Sequence, residues 1–352
     1  VNYLIVILTC LFALSLFAKD RPKQYVVEFK GNYYGAFDPT ASIYIDKKEP
    51  ITDKIVKDTL ANLKRLESSP ALKKQAAKAD PSLGALMDNT GIYAALATRY
   101  RYEPVMEGTI LEQEPKNPSW FTSYVRKNAQ DSAWARAVRN RFRSVEKLTV
   151  EILTPYLTKN QNPPFTVGNL GGAAGDDVSA GVARLTGGKG TTNIRQFIYD
   201  IDADAMALGE KLGKDYFKYP VQGRGDMNII DLANEGGISK HLRKENVKWI
   251  NSIGFFMEYQ VEVSPGKNMS HYEKQRIFEA YCNGGVEHIT FSAYSDHVLP
   301  KYVQSIGWKN FELDWTQTTI VQTLNRAGYD LKKIDSTDLP LMQVYYFKGY
   351  CP

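Results

Sequence analysis

The stretch that decides the fold is Thr166-Val167-Gly168-Asn169-Leu170-Gly171-Gly172-Ala173-Ala174-Gly175-Asp176-Asp177. It reads as a strand, Phe165 to Leu170, that ends in small residues and feeds a helix over Asp177 to Leu185. Small residues let the backbone approach a ligand closely, and the helix turns its N-terminal amides toward the same point. A dinucleotide-binding GxGxxG would put glycines at 171, 173 and 176, where the chain has Gly171, Ala173 and Asp176. That fingerprint fails at two of its three positions.

Working outward, the pattern is strand-helix alternation. Gln196 to Ile201 reads as a strand, Asp204 to Leu212 as a helix, Val247 to Ile253 as a strand and Ser270 to Cys282 as a helix. Glu287 to Ala293 follows as a strand, Thr316 to Ala327 as a helix, and Leu331 to Ile334 and Met342 to Phe347 as two more strands. Lys218 to Gly225, with Pro220, Gly223 and Gly225, makes a poor strand. Strands separated by crossover helices imply a mostly parallel, doubly wound α/β sheet with helices on both faces. The last two strands are joined only by Asp335 to Leu341, too short for a crossover, so they must pair antiparallel.

Upstream, Asn160-Gln161-Asn162-Pro163-Pro164 is the best linker in the chain. Before it, Ile55, Leu60, Leu63 and Leu66 predict a helix over 51–72, and residues 25–50 read as an irregular or short-stranded entry. Val138, Phe142, Val145, Leu148 and Ile152 predict a helix over 131–153, capped by Asp131 or Ser132 and followed by Pro155. The expected division is therefore 1–18, a signal peptide or membrane anchor; 19–160, a mainly helical region; and 161–352, the α/β domain.

Charge sharpens that division. The 352 residues carry a net charge of +5, with 43% hydrophobic and 24% charged, an ordinary globular composition that excludes a disordered or fibrous chain. Residues 19–160 hold 24 basic and 17 acidic groups, whereas 161–352 hold 20 and 22. The basic excess thus belongs to the N-terminal part, which argues against general nucleic-acid binding. It directs attention to Arg136, Arg139 and Arg143 on the predicted helix as a basic surface for an anionic or lipid-like partner. Cys10, Cys282 and Cys351 are spaced too widely for a CxxC pair, so the sequence offers neither a disulfide framework nor a zinc site. Tyr3 to Ala18 is uncharged and short for a bilayer span, with Lys19, Arg21 and Lys23 after it. That order leaves two expectations open: an anchor facing the cytoplasm, or a cleaved export signal.

The glycine-rich turn resembles the first motif of class I S-adenosylmethionine-dependent methyltransferases, a polar residue followed by h-G-x-G-x-G. Asn169, Gly171 and Gly175 match it, with Ala173 at the middle glycine and Asn169 where the family usually has Asp or Glu. Three further segments follow in the family's order. Phe197-Ile198-Tyr199-Asp200-Ile201 is a second strand ending in an acid, Gly225-Asp226-Met227-Asn228 matches the acidic position after the third strand, and Val247 to Tyr259 resembles the fourth strand with its exit loop. The closing helix and reversed hairpin over Thr316 to Gly349 complete the likeness, which covers about residues 165–349.

The resemblance implies a Rossmann-like methyltransferase sheet with an antiparallel last strand, preceded by the helical part as a basic substrate or lid domain. It implies S-adenosyl-L-methionine as cofactor, held by Asn169, Gly171, Gly172, Ala173, Gly175, Asp200, Ile201, Asp226, Met227 and Ser252, with Asp200 on the ribose hydroxyls. Asp202 is the alternative to Asp200, and Asp204 reads as a cap of the next helix. Candidates for the acceptor side are Glu258, Tyr259, Asp296 and His297, the last as a general base, and residues 90–126 are expected to form a lid. The acceptor is a small molecule or a lipid-like oxygen or nitrogen compound. A nicotinamide dehydrogenase, an aminopropyl transferase or an exported non-catalytic descendant of the fold are the alternatives. Gly187-Gly188-Lys189-Gly190-Thr191-Thr192 looks like a phosphate loop but lacks its first glycine, having Ala183 there, and follows a helix instead of a strand.

Overall fold

The computed structural model of the chain describes residues 24–29, 32–37, 48–71, 74, 78, 112–113, 132–157, 163–171, 175–200, 203–225, 235–253, 262–264, 267–295, 297–305, 313–335 and 341–351. Its centre is a seven-stranded sheet made of β4 (Phe165–Leu170), β5 (Ile194–Tyr199), β6 (Val221–Gly223), β7 (Val247–Ser252), β10 (His288–Tyr294), β11 (Tyr329–Asp335) and β12 (Met342–Gly349). The order is β11-β12-β10-β7-β4-β5-β6. β6, β5, β4, β7 and β10 run parallel, and β12, inserted between β10 and β11, is antiparallel to both. The expected reversed final pair is therefore present. Every residue of β4 and β10 is buried, as in strands covered on both faces.

Two apolar layers sandwich the sheet. One is built on α2 (Ala133–Leu157), α3 (Asp176–Leu185) and α4 (Ala203–Leu212), which contribute Val145, Leu148, Val178, Val182, Leu208 and Leu212. The other is built on α5 (Glu235–Lys244), α6 (His271–Asn283) and α8 (Gln317–Arg326), with Leu242, Ile277, Phe278, Tyr281 and Leu324. Ser270 starts α6 with a capping box, its hydroxyl accepting from the Glu273 N–H while the Glu273 carboxylate accepts from the Ser270 N–H. A third cluster joins α1 (Asp53–Glu67), the start of α2 and α7 (Val298–Ser305) to the ends of β10 and β12 through Ile51, Val56, Ala137, Leu299 and Met342. The remaining strands are β1 (Gln24–Phe29), β2 (Asn32–Phe37) and β3 (Glu112–Gln113), which form a small antiparallel sheet, and the ribbon of β8 (Glu262–Ser264) with β9 (Lys267–Asn268).

Three expectations are corrected. α2 does not stop before Pro155 but runs on to Leu157. Proline removes one helical N–H, and packing of Ile152, Leu153 and Tyr156 against the core holds the last turn in place. Lys218 to Gly225 does contain a strand, the short β6, which pairs with β5 through Gln196, Phe197 and Ile198. The cysteines are the largest correction: Cys282 and Cys351 form a disulfide across 69 residues, with Cα atoms 5.3 Å apart. Sequence spacing concealed this, because β12 returns along β10 and delivers the C-terminal segment to the end of α6. Gly328 lies at the junction with φ 92, and a Cβ there would stand 2.7 Å from the Cys282 sulfur.

Among the described residues no helix is long and apolar enough to cross a membrane. Tyr3 to Ala18 and nearly all of the expected lid, 90–126, lie outside the described residues.

Candidate functional site

The sheet order reverses between β4 and β7, because the chain winds outward from β4 to β6 on one side and resumes with β7 on the other. Such a switch point leaves a crevice at the carboxyl ends of the two strands, the usual ligand position in open α/β sheets. The quoted glycine-rich stretch leaves β4 there. Gly171, at φ 62, turns the chain, and its N–H donates to the carbonyl of Tyr199 at 2.8 Å. That bond sets the start of the turn beside Asp200, the residue that follows β5.

The far end of the turn is held more tightly. Gly175 has φ 64 and precedes α3, and a Cβ on it would stand 2.1 Å from Nε2 of Gln196 and 3.0 Å from Nδ2 of Asn169. Only glycine fits both the conformation and the space. Its carbonyl accepts from Gln196 Nε2 and from Ser179 Oγ, both at 2.9 Å. Tyr219 Oη in turn donates to Gln196 Oε1 and lies 2.9 Å from Ser179 Oγ. The turn is thus pinned to β5 and to the segment before β6 by a buried network.

Beneath it runs a second network that carries the site's electrostatics. Asn169, Asn251 and Thr290 are register partners on β4, β7 and β10, so they form one polar row across the middle of the sheet. Asn169 Nδ2 donates to Asp177 Oδ1 at 3.3 Å, and Asn251 Nδ2 is shared between Asn169 Oδ1 at 3.1 Å and Asp177 Oδ2 at 3.2 Å. Thr290 Oγ1 donates to Asn251 Oδ1 at 2.5 Å and receives the Trp249 indole N–H at 2.9 Å. The Val178 N–H completes the set on Asp177 Oδ1 at 2.7 Å. Burial raises the Asp177 pKa above the usual carboxylate range, against the lowering effect of Val178, Asn251, the Arg141 charge and Asn169. Asn169 stands where the family has an acid, and Asp177, eight positions later, brings a carboxyl to its side chain.

The structure brings Asn169, Gly171, Gly175, Asp200 and Ser252 together at the carboxyl end of the sheet. Ser252 is the buried last residue of β7, level with Phe291 of β10. Gly172, Ala173, Ile201, Asp202, Asp226, Met227, Glu258, Tyr259 and Asp296 lie outside the described residues. Asp204 sits within the first turn of α4 instead of capping it. His297 heads α7, and its Nδ1 accepts from the Leu299 N–H at 3.3 Å.

Sequence reasoning missed Asp177 and Asn251 as members of the site, and with them Gln196, Ser179 and Tyr219. For Asn251 and Gln196 the signal was a polar residue inside an apolar strand run, as in Trp249-Ile250-Asn251 and Gln196-Phe197-Ile198. Of the arginine stripe on α2, Arg136 and Arg143 are engaged elsewhere. Arg136 Nη1 donates to the Pro50 carbonyl at 3.2 Å, and Arg143 donates to Asn140 Oδ1 and to Glu49 Oε1, both at 3.1 Å. These arginines fasten residues 49–50 to the helix.

No protein-family model and no curated protein sequence matches the chain. Solved structures do show likeness. A CurJ carbon methyltransferase is 12% identical, covering 86% of this chain and 72% of its own, at a TM-score of 0.45. A "possible exported protein" from Bordetella parapertussis is 11% identical over 84% and 96%, at 0.44. Magnesium protoporphyrin IX methyltransferase from Synechocystis PCC 6803, crystallised with S-adenosylhomocysteine, is 12% identical over 60% and 87%, at 0.37. The architecture itself rests on strand order: numbered from β4, the sheet reads 3-2-1-4-5-7-6 with its seventh strand reversed, and the domain has the Rossmann-like fold of class I S-adenosylmethionine-dependent methyltransferases.

Proposed function

We propose that the chain binds S-adenosylmethionine at the switch point and transfers its methyl group to a small-molecule or lipid-like oxygen or nitrogen acceptor. The observation that carries this reading is the junction of the Gly171–Gly175 turn with Asp200, through the Gly171 N–H on the Tyr199 carbonyl. The residues fit the cofactor in one respect: a carboxylate, Asp200, follows the neighbouring strand where ribose hydroxyls would be accepted. Bound there, the cofactor supplies a methyl group already activated on a sulfonium. The chain is then asked mainly to align the acceptor and keep water out. Gly171 and Gly175 shape the backbone for close approach, and Asn169 with Asp177 holds the floor of the turn.

The disulfide favours a second reading of where this happens. Disulfides persist in oxidising compartments and are rare in the cytosol, so we infer that the domain is exported, with residues 1–18 as its signal or anchor. An exported chain meets little cytoplasmic cofactor, which keeps a non-catalytic binding protein of the same fold as the alternative. Titration of the protein lacking residues 1–18 with S-adenosylmethionine, S-adenosylhomocysteine and NADH separates the readings. Binding of the first two but not NADH, abolished in Asp200→Ala, supports the methyltransferase; binding of none of them supports the alternative. A reporter fused after Pro352 tests export, and a cytoplasmic signal overturns it.

A further inference from the structure

At the opposite end of the sheet, a cleft of about 700 Å³ opens where the loops before β5 and β6 meet. Lys189, Lys214 and Lys218 line it with Thr191 and Thr192, over a floor formed by Tyr219. It opens at the N-terminal ends of β5 and β6, away from the strand ends that carry Gly171 and Asp200, with Tyr219 between it and the Gly175 end of the turn. Its size is that of an ordinary small-molecule site.

The cleft is held in shape by its backbone. The Thr191 N–H donates to the Lys218 carbonyl at 3.2 Å. Gly190, at φ 79, makes that closure possible, because a Cβ on it would stand 2.1 Å from the same carbonyl oxygen. Lys218 itself has φ 53, a left-handed conformation that a long side chain rarely adopts and that concentrates at functional sites. It closes a π-helical turn, Gly213–Phe217, another conformation frequent at such sites. Behind the wall, Tyr219 is 4% exposed and its hydroxyl is tied to Gln196 and Ser179, so the floor cannot shift without breaking a buried network.

Charge then selects the occupant. Three lysines and one carboxylate line the cleft, and that carboxylate, Glu210, accepts from the Gly223 N–H at 2.8 Å. The neighbouring Asp215 is paired with Lys211 at 2.8 Å. We propose that the cleft binds the phosphate or pyrophosphate group of a small phosphorylated ligand, with the three lysines as counter-charges and the two threonine hydroxyls as donors. Gly187 to Thr192 fails as a nucleotide loop because it follows a helix, but here it supplies a cationic wall in place of a backbone cradle. The proposal does not rest on the cofactor reading: its lysines and threonines take no part in the switch point, and the two places share only the buried Tyr219, whose hydroxyl faces the network behind the glycine-rich turn.

The test is titration of the full chain with inorganic pyrophosphate at low ionic strength, alongside sedimentation with phosphatidylcholine vesicles with and without phosphatidic acid. Lys189→Gln with Lys218→Asn removes two charges, and asparagine tolerates the left-handed conformation. Lys240→Gln with Lys244→Gln, on the exposed side of α5, is the control. Saturable binding weakened about tenfold by the first pair and unchanged by the control supports the site. Pyrophosphate binding marks a free phosphorylated ligand; vesicle binding alone, lost in the same pair, marks a lipid headgroup. No saturable binding in either arm, or equal loss in both pairs, overturns the proposal.

Discussion

Asn169 occupies the position at which a methyltransferase of this class would carry an acid, and its neighbours explain how the turn is held without one. Its side chain donates to Asp177 and accepts from Asn251, so the carboxyl reaches the strand end from the first turn of α3. Because burial raises the Asp177 pKa, the folded protein holds that proton more tightly than the unfolded chain does. The resulting stability is fully present below the ordinary value of 3.8 and is lost as pH rises through the raised one. Urea unfolding from about pH 4 to 7 is therefore expected to show wild type losing stability relative to Asp177→Asn; a difference independent of pH would contradict this. Gly175→Ala is expected to destabilise the protein by about 1–3 kcal/mol and to abolish cofactor binding, measured by thermal unfolding and titration. The sequence reading reached Asn169, Gly171, Gly175 and Asp200 because they follow a local pattern. It did not reach Asn251, which is 82 residues from its partner Asn169 and becomes its neighbour only when β7 pairs with β4.

At the scale of elements, the strands were legible where burial made them continuous apolar runs. β4, β7, β10 and β12 lie where the residue pattern put them, within a residue or two at each end. β6 was not, since three residues containing Gly223 carry little pattern and depend on pairing with β5 for their conformation. α5 and α7 were also unread, α5 because His241, Arg243 and Lys244 in its last turn dilute its apolar face, and α7 because Pro300 sits in its first turn. The contact between α2 and α3 turns on one glycine, as a Cβ at Gly181 would stand 2.4 Å from the Cβ of Thr149. Gly181→Ala should force the helices apart and cost about 1–3 kcal/mol, read as a lower urea midpoint. Gly181→Ala combined with Thr149→Ala should recover part of that loss, and a loss unchanged in the double variant would locate the strain elsewhere.

For the whole molecule, the disulfide ties the end of the last strand to the helix before β10, closing a loop that contains α7, α8 and the reversed hairpin. Removing it with Cys351→Ser is expected to lower the free energy of unfolding by about 2–5 kcal/mol. Wild type in a reducing agent should match that variant, whose stability should not respond to the reductant; equal stability of both proteins under oxidising conditions would show that the bond is absent. The charge asymmetry also changes meaning at this scale. The basic excess before residue 160 includes Arg136 and Arg143, which hold the chain at residues 49–50 and do not present an open cationic face. The central claim is that the glycine-rich turn and the end of β5 form one nucleoside-binding crevice. Amide hydrogen exchange with and without saturating S-adenosylhomocysteine tests it most directly. Slower exchange in peptides covering Asn169 to Asp177 and Tyr199 to Ala203 is the predicted result, and unchanged exchange in both segments would contradict the account.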